Sequence, residues 1–190
     1  MGDTRTRVLE QAETLLRSKG YSGFSYADLE EAVGIRKASI HHHFRTKEKL
    51  ALALVETYDR RYDDALDRIL LASESALERV DAYGRLYLTG LEQGLGCLCA
   101  ALAIENDTLP ATLRKNVAAF FAKHVDWLKQ VIADGVARGE VRDRVDPSDF
   151  ARMTVGALEG ALLMERMLIG AVGFEATLRA IQSGLAHDRA

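Results

Sequence analysis

Leu29 to Leu50 reads LEEAVGIRKASIHHHFRTKEKL, and the interpretation of these residues decides the fold. Leu29, Ala32 and Val33 end one short helical pattern, and Gly34 supplies a turn that most side chains resist. Lys37 to His43 then makes about two helical turns, with Ile40 and Phe44 facing inward at i and i+4. Thr46 caps a further helix opening at Lys47, with Lys49 at the third position. Two short helices joined by a tight turn are the outline of a helix-turn-helix, whose second helix enters the major groove of duplex DNA.

Charge supports that outline. The whole chain carries −3, but residues 1–50 hold nine Lys/Arg against seven Asp/Glu, leaving 16 against 21 for the remainder. Between Arg36 and Lys49 five basic residues face one acidic residue. Positive charge is therefore concentrated on the proposed reading element, and the rest of the chain is no nucleic-acid surface.

Towards the N-terminus, Thr4 or Thr6 can cap a helix whose Val8, Leu9, Ala12, Leu15 and Leu16 share one face, and Gly20 stops it. Ser25 has N-cap chemistry, with Asp28 three residues on completing a box-like arrangement. Towards the C-terminus, Leu50, Leu54, Tyr58, Ala65 and Ile69 continue an inward stripe to about Leu71. Helices are then expected over Glu74–Gln93, Cys97–Glu105, Pro110–Arg138, Pro147–Ile169 and Gly173–His187, each bounded by glycine or proline. With 48% apolar residues, two prolines and no segment of strand period, the chain reads as all-α, with about nine helices. No 18-residue apolar run and no signal-peptide apolar region occur, which points to the cytoplasm and to no membrane partner. Cys97 and Cys99 lie two apart, where a disulfide would be strained, and read as thiols in a reducing compartment.

The run from Gly34 to Lys47 resembles the signature of the TetR family of one-component repressors. That signature has a glycine, an aliphatic residue, two variable residues, a small residue, Ser/Thr, Leu, Tyr, two aromatic or His residues, Phe, and a Lys opening the fourth helix. Gly34, Ile35, Arg36, Lys37, Ala38, Ser39, Ile40, His41, His42, His43, Phe44 and Lys47 hold those places, with His41 where the family has tyrosine. The resemblance is close over residues 4–50 and rests on helix count and length beyond.

It implies an N-terminal three-helix helix-turn-helix domain over residues 1–47 and a larger helical effector-binding and dimerisation domain over residues 48–190. By the same resemblance Arg36, Lys37 and Ser39 read base edges, with Ala38 allowing close approach. Ser25, Tyr26, His41, His42 and Lys47 hold the phosphate backbone, and His43 is a further contact. The histidines do not form a metal site, because consecutive helical positions diverge by about 100° each.

An apolar stripe on the Pro110 helix, including Phe120, Phe121 and His124 with Trp127 beside it, faces Tyr83 and Tyr87. An apolar stripe is first of all core; the family adds an effector pocket there, which makes these residues ligand candidates. Cys97 opens the helix crossing that bundle and is an alternative, thiol-based sensor of oxidants or electrophiles. On the last two helices Phe150, Met153, Ala157, Ala161, Met164, Leu178, Ile181 and Leu185 are the expected dimer contacts. The sequence thus points to a homodimeric, DNA-binding regulator of a double-stranded operator, released by a small-molecule effector and needing no cofactor. Two rivals are a helical protein-interaction module that binds no DNA, and an enzyme built on Cys97, His124 and Glu105, which share no recognisable catalytic motif.

Overall fold

A computed structural model of the chain describes residues 4–187. Among them are α1 (Thr4–Lys19), α2 (Tyr26–Val33), α3 (Lys37–His43), α4 (Lys47–Ala72), α5 (Ala76–Arg85), α6 (Leu88–Glu92), α7 (Leu98–Ala103), α8 (Ala111–Ala137), α9 (Pro147–Glu165) and α10 (Ala171–Leu185). The one extended pairing among the described residues is an isolated bridge between Val141 and Ala186. No helix among them is long and apolar enough to cross a membrane.

The helix-turn-helix elements begin and end where local chemistry requires. Ser25 caps α2 by accepting from the Ala27 and Asp28 amides, and Asp28 accepts from the Ser25 amide at 2.8 Å, completing the capping box. Gly34 ends α2 in the left-handed region, φ 72°, which turns the chain directly into α3. The Thr46 hydroxyl accepts from the Lys49 amide at the start of α4.

The chain forms two compact units. One runs through Arg61 and also takes in Leu95–Phe120, and the other comprises Tyr62–Gly94 and the residues from Phe121 onward. The boundaries fall inside α4 and inside α8, whereas the division expected at residue 47 is linear. α7 belongs with the N-terminal helices because it packs on α1.

In the second unit α10 packs on α9, α5 and α6. A Cβ at Gly84 on α5 would lie 2.5 Å from a Leu178 methyl on α10, so glycine permits the close approach. The helix expected over Glu74–Gln93 is broken into α5 and α6. The bonds tighten to i−3, from the Leu86 amide to Tyr83 and from the Tyr87 amide to Gly84, and the helix axis is interrupted there.

The helix expected to reach Ile169 ends at Glu165, and the Gly170 amide returns to the Glu165 carbonyl at 3.0 Å. The Glu165 carboxylate lies against the first turn of α10, where a Cβ on Gly173 would be 2.0 Å from Oε2. A carboxylate at a helix N-terminus is favourably placed. Gly173→Ala has to displace this carboxylate from the helix start, which offsets the helix-propensity gain of alanine, so the net change in stability is expected to stay within about 1 kcal/mol, read as the urea midpoint of unfolding at unchanged slope.

Ala161, Leu178, Ile181 and Leu185, expected at a dimer surface, are buried inside this unit. They fill the contacts of α10 with its neighbours, which leaves little of them at the protomer surface. Phe150 is half-buried, its ring edge 3.1 Å from where a Gly184 Cβ would stand. Met153 and Met164 are exposed and Ala157 is half-buried. With them Leu163, Met167, Leu168, Ile169 and Val172 form an exposed apolar strip on α9 and the α9–α10 connection.

Candidate functional site

α3 is seven residues long and attaches to the first unit by a single buried anchor of its own, Ile40, followed by Phe44 just past its end. Everything else on it is available. Arg36, Lys37, Ala38, Ser39, His41 and His42 are exposed and His43 is half-buried. The side chains of Arg36, Lys37 and Ser39 make no hydrogen bond or ion pair among the described residues. Arg36 sits at the N-cap without a side-chain cap of its own. Two cations, a methyl and a hydroxyl on the first turn of a protruding helix present the donor set that suits guanine O6 and N7, adenine and thymine edges.

His41 lies against the Tyr26 ring, 4.6 Å between centroids, with Nδ1 3.3 Å from the Arg45 carbonyl. Its other ring nitrogen is left for an external partner. Arg45, exposed immediately after α3, adds a cation that the motif-based reading passed over and a simple count of surface charge would have found.

Three expected phosphate contacts have other work. The Tyr26 hydroxyl is buried and donates to the Phe44 carbonyl at 2.8 Å, and burial pushes its pKa up to about 12. The Lys47 ammonium donates to the Phe24 carbonyl and sits over the Tyr21 and Phe24 rings, 5.0 and 4.4 Å from their centroids. Burial lowers its pKa. The Ser25 hydroxyl serves the α2 cap and donates to Asp28 at 2.6 Å, and this bond is the first of several that hold the Asp28 carboxyl down at about 2. Within the folded chain these groups set the geometry of the reading unit.

The second unit gathers four of the expected ligand residues. The Tyr83 hydroxyl lies 3.0 Å from His124 Nδ1 and 3.2 Å from the Tyr87 hydroxyl. The Trp127 ring stacks on Tyr83, 5.6 Å between centroids, and its indole nitrogen is buried without a hydrogen-bond partner among the described residues. Tyr62, absent from the sequence-based set, meets His124 edge-on at 5.1 Å. Its signal was the spacing of four from Tyr58 on α4. Burial, with a smaller contribution from neighbouring Lys123, pushes the His124 pKa down to about 4.

Phe120 and Cys97 are placed in the first unit, Phe120 against Tyr58 at 5.7 Å, and Phe121 is half-buried in the second. Cys97 and Cys99 are both buried. The groups of the enzyme rival have separate partners: Glu105 takes the Ser22 amide and His124 the Tyr83 hydroxyl.

Comparison with known proteins agrees with this arrangement. Residues 8–54 match the bacterial regulatory proteins of the tetR family, and residues 76–181 match the tetracyclin repressor-like C-terminal domain. The transcriptional regulator AcuR of Cereibacter sphaeroides is 30% identical over 156 residues, 80% of this chain and 71% of that protein. The transcriptional repressor NemR of Escherichia coli K12 is 27% identical over 137 residues, 70% of this chain and 69% of its own. The crystal structure of a TetR family regulator from Agrobacterium tumefaciens superposes with a TM-score of 0.92 at 32% identity, covering 97% of this chain and 98% of that one. The helix-turn-helix, the helices that follow it in the chain and these likenesses over most of the chain agree: the protein belongs to the TetR family of DNA-binding transcriptional regulators.

Proposed function

We propose that this regulator is a homodimeric repressor that holds a pseudo-palindromic operator and is released from it by a small molecule taken up among the helices of the second unit. The observation that carries the reading is α3 itself: an exposed first turn bearing Arg36, Lys37, Ala38 and Ser39 on a helix anchored by Ile40. One such helix contacts too few base pairs for useful specificity, so two copies must present theirs about one turn of DNA apart, roughly 34–36 Å. Repression as the sign of control is supported by the relative from E. coli, which is a repressor.

The exposed apolar strip of α9 supports the dimer. Gly156 and Gly160 lie on it, and a Cβ at either would meet nothing within 4 Å in the protomer. Gly160→Glu therefore leaves the protomer intact, and even favours the helix, while placing a charge where a partner helix would approach. It is expected to convert the dimer to a monomer in analytical sedimentation and to cost operator affinity at least tenfold. A variant that stays dimeric sinks this placement of the interface.

The effector reading is supported by the cluster of Tyr83, Tyr87, His124 and Trp127, in which hydroxyl, imidazole and indole groups sit within an otherwise apolar helical body. A few convergent polar groups in an apolar surround are what orient a small ligand. A ligand that binds one conformer of the regulator more tightly shifts the population by that difference in affinity. The test of the whole reading is nuclease protection of the DNA beside the protein's own gene. A protected, two-fold symmetric site is expected, with binding that weakens steeply with salt. Thermal-shift screening of small metabolites then identifies compounds that raise the melting temperature, and those that also release the operator are effectors.

A further inference from the structure

The segment carrying α7 is attached at both ends to the helices that support α3. At its start, Arg17 of α1 donates from Nε to the Gly96 carbonyl at 2.6 Å. Arg17 is itself held: its Nη1 lies 3.1 Å from the Glu13 carboxylate, which also takes Arg61 of α4 at 2.7 Å. At the segment's end, the Glu105 carboxylate lies across the turn between α1 and α2, accepting the Ser22 amide at 2.9 Å on Oε2 and 3.2 Å on Oε1.

The turn is shaped to receive it. Gly20 has φ +81°, and a Cβ there would stand 2.4 Å from Glu105 Oε1. A side chain at this position would be strained in the backbone and would have to displace the carboxylate. On its other side the same turn is gripped by α4, through the Lys47 ammonium on the Phe24 carbonyl. The charge of Glu105 also acts on Lys47, so the two grips are electrostatically linked through the turn. The turn leads directly into α2 through the Ser25 cap, and α2 packs on α3. Whatever fixes the turn thereby fixes the pose of the reading helix.

We infer that Glu105 is a positioning residue for DNA reading: it locks the turn at Gly20–Phe24 in the pose that lets α3 address bases, so that α7 and the reading helix move together. The inference rests on the DNA-binding reading above and deepens it by naming the contact through which that unit is controlled. A hydrogen bond to a charged acceptor, here at an exposed turn, is worth at most about one order of magnitude in an equilibrium.

Glu105→Ala and Glu105→Gln, in the full chain, are measured on the protected operator and on a random-sequence duplex of equal length. Glu105→Ala is expected to lose about tenfold on the operator and less than twofold on random DNA, with Ser22 amide exchange accelerated. Glu105→Gln, which keeps an acceptor oxygen for the Ser22 amide, recovers operator binding to within about threefold. Should Glu105→Ala melt too low to assay, Glu105→Asp, which keeps the charge but shortens its reach, is read by the same operator-to-random ratio. A ratio unchanged from wild type, or equal losses on both DNAs, overturns the positioning role while leaving DNA binding standing. Failure of the wild-type chain to protect any operator overturns both together.

Discussion

Replacing Arg36 and Lys37 together by alanine is expected to lower operator affinity by roughly 30-fold or more while leaving folding and dimerisation unchanged. Both are exposed on the first turn of α3, and neither is tied to another group among the described residues. Truncation therefore removes no intramolecular side-chain bond: alanine at Lys37 favours the helix, and Arg36 at the N-cap has no side-chain cap to lose. Each cation that meets guanine O6 and N7 contributes about 1–3 kcal/mol of discrimination, so the pair accounts for a factor of roughly 30 or more.

The decisive measurement is fluorescence anisotropy with operator and random duplex across a range of salt concentrations. Loss of preference with a nearly preserved salt slope assigns the two side chains to base edges. A slope shallower by about one for each residue lost would reassign them to phosphates. Retention of operator preference by the double variant would remove the reading face from α3 altogether.

Acid is expected to destabilise the protein by about 3 kcal/mol between pH 6.5 and pH 4, through His124. The imidazole is buried in the second unit, with Nδ1 3.0 Å from the Tyr83 hydroxyl and its ring against Tyr62. Burial first, and the Lys123 charge second, push its pKa down from 6.5 to about 4, against a smaller opposing effect of Asp63. The folded pKa thus lies below the unfolded one. As pH falls through 6.5 the unfolded chain takes up a proton that the folded chain refuses, and stability drops until the folded pKa near 4 is passed. A difference of some 2.5 units corresponds to roughly 3 kcal/mol.

Asp28 acts in another window. Its pKa is lowered from 3.8 to about 2, so its contribution is full above 3.8 and is lost only as pH falls towards 2. Between pH 6.5 and 5 the loss belongs to the histidine, and His124→Gln should flatten urea-unfolding stability across that interval. A wild-type curve already flat there would show that the imidazole is not held neutral.

Much of the reading unit was legible before any tertiary information. Ser25 and Asp28 form the expected capping box, Gly34 is the turn, and Lys37–His43 is the helix the spacing predicts. These features are settled by groups within four residues of one another, which is the range over which caps, turns and helical periodicity operate. The exposure of Arg36, Lys37 and Ser39 follows from the same periodicity, because Ile40 and Phe44 determine which side faces inward.

Contacts across many residues were not legible. Lys47 and Tyr26 have the chemistry of phosphate contacts, and only the folded chain brings the Phe24 and Phe44 carbonyls within their reach. Glu105 entered the sequence reading only as the acid of the enzyme rival, and its place against the turn at Ser22, 83 positions earlier, comes from the fold alone. Leu178, Ile181 and Leu185 and the exposed Met153, Leu163 and Met164 all belong to apolar stripes of helical period. Periodicity says that a helix has an apolar face, not which neighbour covers it, so inward and outward faces of α9 and α10 separate only when α5 and α6 take their places. The sequence by itself therefore determined the helices, their ends and the reading face, since hydrogen bonding and side-chain spacing along one segment suffice for those. The tertiary structure alone decided which polar groups are spent inside the protein and which apolar ones remain outside, because that depends on the groups that packing brings together from distant parts of the chain.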